Sequence, residues 1–127
     1  MIALGSAIGG VGRFWLSGVV ASRFGERFPW GTVLVNISGC LVIGFFATLT
    51  APEGRWFVPG VWRQFFMIGI CGGYTTFSSF GLQTLTLAMA GEWLAAGFNI
   101  VASVVLCLLA VWAGHALAVA INTMELS

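Results

Sequence analysis

Long apolar runs alternate with short polar connections along the chain, and this pattern predicts membrane-spanning helices. Four predominantly apolar runs cover residues 2–20, 31–50, 63–90 and 94–119. A helix needs about 20 apolar residues to cross the hydrocarbon core of a bilayer, so each run can supply one span. The sequence therefore predicts an all-α membrane protein with four transmembrane helices, in which residues 1–127 form a single domain.

The third run is too long for one straight span and contains a glycine-rich polar stretch. At about 1.5 Å per residue, a continuous helix over this run would be about 40 Å long, against a hydrocarbon core of about 30 Å. Within it lies Gly69-Ile-Cys-Gly-Gly-Tyr-Thr-Thr-Phe-Ser-Ser-Phe-Gly81. Glycine costs about 1 kcal/mol relative to alanine in a helix. We therefore predict that the third helix is broken near residues 72–75, with Gly72 and Gly73 at the interruption.

The same stretch carries groups that could contact an ion. Irregular backbone at membrane depth is tolerated only where it is buried in protein or lines a wet cavity. Freed carbonyls could hold a cation, whereas hydroxyls and the positive ring edges of Phe77 and Phe80 could contact an anion. The alternative is a packing face of small residues. Packing alone does not require the hydroxyl side chains of Thr75, Thr76, Ser78 and Ser79.

Polar side chains also interrupt the other apolar runs. Arg13 lies well inside the first run, where a charge costs about 2.5–3.5 kcal/mol, so it should face an aqueous cavity or an internal partner unless it snorkels to a surface. Asn36 could donate to a passing anion or to a neighbouring helix, and the sequence leaves both possibilities open. In the fourth run Asn99, Ser103 and Cys107 recur every four residues and form a polar line on one helix face.

Composition places the whole chain in a membrane. It is 59% hydrophobic and 7% charged, whereas about a quarter of the residues in an average soluble domain are charged. The net charge of +1 gives no indication of a nucleic-acid partner. No convincing cleavage site follows the first run, which we therefore interpret as a retained span and not a signal peptide. The spacing of Cys40, Cys71 and Cys107 fits no metal site.

The arginines of the connections do not favour one orientation in the membrane. With four spans, Arg23 and Arg27 lie on one side and Arg55 and Arg63 on the other. Because an excess of Lys and Arg marks the cytoplasmic side, this balance predicts no preferred orientation. The chain could insert both ways and pair head to tail. Since four thin helices cannot enclose a pore alone, we expect an oligomer.

Three motifs resemble those of the fluoride channels of the Fluc (CrcB) family, in order and over nearly the whole chain. They are Gly5-Ser6-x-x-Gly9-Gly10-x-x-Arg13-Phe14, Gly31-Thr32-x-x-Val35-Asn36-x-x-Gly39 and the highly specific Gly69-x-Cys71-Gly72-Gly73-x-Thr75-Thr76-Phe77-Ser78-Ser79-Phe80. The resemblance implies a passive channel in the bacterial cytoplasmic membrane that exports fluoride and reduces its toxicity. It also implies an antiparallel, dual-topology homodimer in the lipid bilayer, with two separate pores.

The resemblance further implies roles for individual residues. Pore positions would be Asn36, Thr76, Phe77, Ser78, Ser79 and Phe80, with Asn99 and Ser103 in a pore wall and Arg13 in the aqueous vestibule. A structural sodium ion would be held at the dimer interface by the backbone carbonyls of Gly72 and Thr75. Family members commonly carry a glutamate in place of Gln83 and a hydroxyl residue in place of Gly81. The hydroxyl track is therefore incomplete here, and conduction is expected to change if that glutamate contributes to it.

Two other functions are alternatives to the channel. A small multidrug-resistance-type transporter also has four short helices, but it needs a carboxylate within the membrane to exchange protons for cationic drugs. The four glutamates lie in connections or in the tail, at Glu26, Glu53, Glu92 and Glu125. In a non-transporting assembly subunit, the hydroxyls and Asn36 would only join helices. An enzyme is not expected, because the chain has no nucleophile–base or metal constellation.

Overall fold

The computed structural model describes residues 1–54 and 56–124. Arg55 of the second connection and Glu125 of the tail lie outside the described residues. The first two membrane helices are α1 (Ile2–Phe24) and α2 (Trp30–Leu49). The third has two halves: the first joins α3 (Gly60–Gln64), a π-helical segment (Phe65–Cys71) and α4 (Gly72–Tyr74), and the second is α5 (Phe77–Met89). The fourth is α6 (Trp93–Met124).

Four helices of the described chain are long and apolar enough to cross a membrane. They contain 23, 20, 30 and 32 residues, when the two halves of the third are counted together, and their mean hydropathies lie between 1.2 and 2.5. The predicted all-α fold with four spans and an interrupted third helix is therefore confirmed. Helices can cross a bilayer because their backbone hydrogen bonds are satisfied internally.

The break in the third helix lies at two threonines and not at the glycines. Gly72 has helical dihedral angles, φ −65 and ψ −38. The chain becomes extended at Thr75 (φ −82, ψ 156) and Thr76 (φ −150, ψ 117). β-Branched residues such as threonine fit extended backbone well. The predicted break near residues 72–75 therefore includes Thr75, whereas Gly72 and Gly73, which were predicted at the interruption, precede it within the helix.

The neighbouring glycines allow α1 to approach the third helix closely. A Cβ added to Gly69 would lie 3.1 Å from the Cα of Gly5, and one added to Gly73 would lie 2.8 Å from the Cα of Ser6. Small residues let membrane helices pack at such short distances. The glycines therefore fix the position of α1 against the first half of the broken helix.

Helices α2 and α6 pack side by side in the same direction. The Thr48 hydroxyl lies 2.7 Å from His115 Nδ1, and these two residues are 67 apart in sequence. One turn earlier in both helices, Gly44 packs against the backbone of Val111, where a Cβ would overlap the Val111 carbonyl. Facing residues thus recur every four residues along both helices, and each pair is 67 residues apart in sequence. A constant difference in residue number is expected when two helices run parallel.

Candidate functional site

Asn36 of α2 bridges the break in the third helix through its carboxamide. Its Nδ2 donates to the Thr76 carbonyl at 2.9 Å, and its Oδ1 accepts from the Thr76 N–H at 2.7 Å. In an uninterrupted helix that N–H would bond to the Gly72 carbonyl. Asn36 therefore replaces a backbone hydrogen bond and holds the two halves apart. An amide NH2 has two hydrogens, so one is left for a further acceptor.

Thr76 also precedes and caps α5, the second half of the broken helix. Its Oγ1 accepts from the Ser79 N–H at 3.2 Å and caps the amino end of α5. The Ser78 hydroxyl lies 3.3 Å from the same oxygen. Backbone N–H groups at the start of a helix lack helical acceptors and carry partial positive charge. The start of α5, at Phe77, thus favours anions through the partial positive charge of backbone N–H groups and without a charged side chain.

A cavity of about 450 Å³ lies beside the break, between α2, the broken helix and α6. Its wall includes five of the predicted pore residues, Asn36, Thr76, Phe77, Phe80 and Ser103. It also includes both predicted sodium-site residues, Gly72 and Thr75, and all three cysteines, Cys40, Cys71 and Cys107. The remaining lining residues are Gly39, Ile43, Val104 and Leu108. Residues from three separate helices are thus brought to one cavity.

The two phenylalanines in the cavity wall have different surroundings. Their ring centroids are 5.4 Å apart and the rings are tilted by 43°. Phe80 is 9% exposed, whereas Phe77 is 80% exposed. Phe80 is therefore part of the packed core, while Phe77 presents its ring at the open side of the cavity. The chain covers only one side of this pair.

Asn99 lies behind the cavity wall and supports Ser103. Asn99 is 1% exposed; its Nδ2 donates to Thr84 Oγ1 at 2.9 Å, and its Oδ1 accepts from the Ser103 hydroxyl at 3.3 Å. Thr84 in turn donates to the Phe80 carbonyl at 2.8 Å. The network joins α5 to α6 and orients Ser103. Sequence reasoning missed Thr84, whose only signal is a hydroxyl one turn after Phe80.

Arg13 lies at the break but on the side of α1. Its Nε donates to the Gly73 carbonyl at 3.4 Å, and the residue is half-buried. This carbonyl is one of those that lose a helical donor where the helix stops. Arg13 therefore has an internal partner, which is one of the arrangements that the sequence allows for a charge inside a membrane helix. Ser78 and Ser79 lie on the first turn of α5, next to the cavity-lining residues.

The two positions that depart from the family pattern lie further along α5. A Cβ on Gly81 would have no neighbouring atom within 4 Å, so a hydroxyl residue would fit there without a clash. Gln83 has a buried Oε1 without a hydrogen-bond partner among the described residues. It borders a second cavity of about 460 Å³, which also contacts Glu26 and Arg27 of the first connection.

Comparison with known proteins shows similarity over almost the entire chain. Residues 1–115 match the family model described as CrcB-like protein, Camphor Resistance (CrcB). The fluoride-specific ion channel FluC of Rhodospirillum rubrum is 63% identical over 121 residues, which cover 95% of this chain and 94% of the relative. The proteins of the same name from Paramagnetospirillum magneticum and Opitutus terrae are 62% and 60% identical, over 96% and 98% of this chain and 95% and 94% of the relatives.

Proposed function

The chain belongs to the CrcB family, and we propose that it is a fluoride-specific ion channel that lets fluoride leave the bacterial cytoplasm passively. It is a multi-pass membrane protein of an ion-channel family and not an enzyme. The relatives named as fluoride channels match it over nearly their full length. The observation that carries the proposal is the single cavity in which Asn36, Ser103 and the Phe77–Phe80 pair meet.

The few polar groups and ring edges in this largely apolar cavity suit fluoride, which is small and strongly hydrated. A conducting pore must replace the water around an ion without binding the ion so tightly that it stays. Amide, hydroxyl and aromatic-edge groups are uncharged donors of graded strength. Arg13 contacts the break from the α1 side and is not among the cavity-lining residues, so its charge can raise the local anion concentration without holding the ion in the cavity.

Export by such a pathway needs no energy source other than the ion gradient. HF crosses membranes, dissociates at neutral cytoplasmic pH and leaves the anion inside. A membrane potential that is negative inside then favours exit by about 2.3 kcal/mol per 100 mV. The glutamates of the described residues, Glu26, Glu53 and Glu92, lie in the connections that join consecutive membrane helices. This supports a channel over a transporter that exchanges protons through a carboxylate within the membrane.

Efflux from liposomes tests the proposed function directly. Liposomes containing the purified protein and loaded with potassium fluoride should release fluoride rapidly once a potassium ionophore balances the charge, as measured with a fluoride electrode. Liposomes loaded with chloride should retain it, because a path that replaces water with a few fixed, uncharged donors is matched to the smaller ion. Protein-free liposomes provide the baseline. A non-transporting assembly subunit predicts no release above this baseline, and that result would refute the channel.

We further propose that two copies pair in opposite orientations to form a homodimer. Phe77 and Gly72 are both exposed on the open side of the cavity, so one subunit leaves the path without a complete wall. A second copy would cover this side, and pairing about a two-fold axis uses the same surface on both subunits. The sequence places two arginines on each side of the membrane, which is compatible with insertion in both orientations.

A reporter fused to the C-terminus should be detected on both sides of the membrane in comparable amounts. In the double variant Arg23→Gln/Arg27→Gln, the side that carries both termini keeps Arg55 and Arg63 and should become predominantly cytoplasmic. The conservative variant Arg23→Lys/Arg27→Lys is the matched control, because it keeps the charge and should keep both orientations. A single fixed orientation of the parent protein would contradict dual topology.

We also propose that carbonyls at the break hold a structural sodium ion between the two subunits. The Gly72 carbonyl lacks its helical donor because the Thr76 N–H bonds to Asn36, and Thr75 is extended, so its carbonyl leaves the helix direction. Neutral oxygens suit a hard monovalent cation better than a transition metal, which prefers imidazole or thiolate. When bound, sodium would supply a fixed positive charge that joins the two breaks.

Removal of sodium should therefore lower fluoride efflux several-fold while the helices remain folded. We expect this loss when a large organic cation replaces sodium throughout purification and reconstitution, with helix content followed by circular dichroism. Sodium added back should restore efflux, whereas the same concentration of the organic cation should not. If efflux is unchanged after stringent depletion, sodium has no structural role in conduction.

A further inference from the structure

The parallel register of α2 and α6 places two cysteines opposite each other. Thr48 faces His115, and Gly44 faces Val111 one turn earlier. The next turn in the same direction pairs Cys40 with Cys107, and both residues line one cavity. Both are free cysteines. The pairing arises from helix packing, because the two residues are far apart in sequence.

This pair belongs to the wall of the candidate ion path. Cys40 and Cys107 both line the 450 Å³ cavity that contains Phe77 and Phe80. Cys40 lies one helical turn after Asn36, and Cys107 lies one turn after Ser103. The two thiols therefore continue the polar positions of α2 and α6 by one turn.

We propose that Cys40 and Cys107 form a two-coordinate site for a soft divalent metal ion such as Hg²⁺, which blocks the cavity when bound. The consequence for flux rests on the proposed channel function, whereas metal binding does not. Binding breaks two S–H bonds and forms two S–Hg bonds. The two protons leave to water, and neither mercury nor sulfur changes oxidation state.

Charge and ligand number select this class of metal. Two thiolates around a divalent ion give a neutral complex, whereas a monovalent ion would leave a net negative charge in apolar surroundings, which is costly. Structural zinc takes four ligands, and the described residues include no group of three or more His, Cys, Asp or Glu side chains that could hold a metal ion. Soft thiolates prefer soft metals. A digonal Hg²⁺ site fits these conditions.

Metal binding can be measured without reference to ion flux. The purified parent protein, titrated with HgCl₂ in the presence of a competing monothiol, should bind one Hg²⁺ per subunit with the ultraviolet absorption of a bis-thiolate complex. Cys71→Ser, which removes the third cavity cysteine, is the matched control and should bind equally. Cys40→Ser and Cys107→Ser should each lose the complex. Methylmercury cannot bridge two thiols, so the monothiol should remove it from the parent protein.

Flux measurements on the same proteins test the block. HgCl₂ should inhibit fluoride efflux by the parent and Cys71→Ser at similar concentrations, and an excess of dithiol should restore it. In Cys40→Ser and Cys107→Ser the half-inhibitory concentration should rise roughly a hundredfold, the gain that two linked binding groups provide.

The two measurements separate failure of the site from failure of the channel. Equal inhibition of parent, Cys40→Ser and Cys107→Ser, or sensitivity carried by Cys71, would overturn the site. Absence of the bis-thiolate complex in a parent protein that conducts would also overturn it. A parent protein that binds one Hg²⁺ but conducts no fluoride even without metal would instead refute the channel function and leave the binding site supported.

Discussion

Replacement of Phe77 by isoleucine is expected to slow fluoride efflux by about tenfold or more. A rise of about 1.4 kcal/mol in the free-energy barrier to passage of the ion corresponds to a tenfold lower rate. Isoleucine keeps apolar bulk but lacks the positive ring edge that can replace water around an anion. Phe77 is 80% exposed, so the change removes little packing within one chain. Phe80→Ile should slow efflux similarly.

The two phenylalanine variants should differ in stability. Phe80 is 9% exposed, and a change of shape in a packed site typically costs about 1–3 kcal/mol. Phe80→Ile should therefore unfold at a lower temperature than Phe77→Ile, since the Phe77 ring packs little within one chain. Phe98→Ile is a suitable control, since Phe98 packs with Phe28 and Trp30 and not with the Phe77–Phe80 pair. Efflux at parental rates through Phe77→Ile would contradict the role of its ring.

The same variants can be compared in cells. A fluoride-sensitive bacterium should regain growth in fluoride when it expresses the parent chain. Phe77→Ile, expressed at equal abundance, should not restore growth. Equal rescue by both chains would refute the role assigned to the ring, and absence of rescue by the parent would refute fluoride export itself.

Replacement of Asn36 by aspartate is expected to abolish measurable fluoride efflux. A carboxylate about 4 Å from the path would repel the anion by about 4 kcal/mol at an effective dielectric constant of about 20. An increase of this size in the barrier slows passage roughly a thousandfold. The change also removes the Nδ2 donor that bonds to the Thr76 carbonyl at 2.9 Å, and a lost partner in a buried hydrogen bond costs about 1–3 kcal/mol.

Asn36→Ser separates the two effects. Serine is too short to span both bonds to Thr76 but adds no charge, so this variant should retain weak efflux and lose stability. Efflux and thermal unfolding of both variants, measured in the same detergent and lipid, provide the comparison. Efflux through Asn36→Asp at the level of Asn36→Ser would indicate that Asn36 only supports the break and has no contact with the conducted anion.

The sequence by itself determined the number and type of membrane helices and marked the residues with unusual chemistry. Hydropathy is sufficient for the spans because each membrane helix satisfies its own backbone hydrogen bonds. An interrupted third helix followed from its length and its glycine and hydroxyl content. Asn36, Phe77, Phe80 and Ser103 stood out as candidates because polar or anion-favouring groups are conspicuous in apolar runs, whereas their assignment to a pore came from the resemblance to the Fluc family.

Only the tertiary structure decided where the helix breaks and which side chains meet. The break lies at Thr75 and Thr76 because Asn36, 40 residues away, supplies the hydrogen bonds that replace those of the helix. Asn99 supports Ser103 from behind because Thr84 is its partner across α5 and α6. The Cys40–Cys107 pair depends on the parallel register of α2 and α6. Each outcome rests on contacts between residues distant in sequence, whereas hydropathy and propensity report only on a residue and its near neighbours.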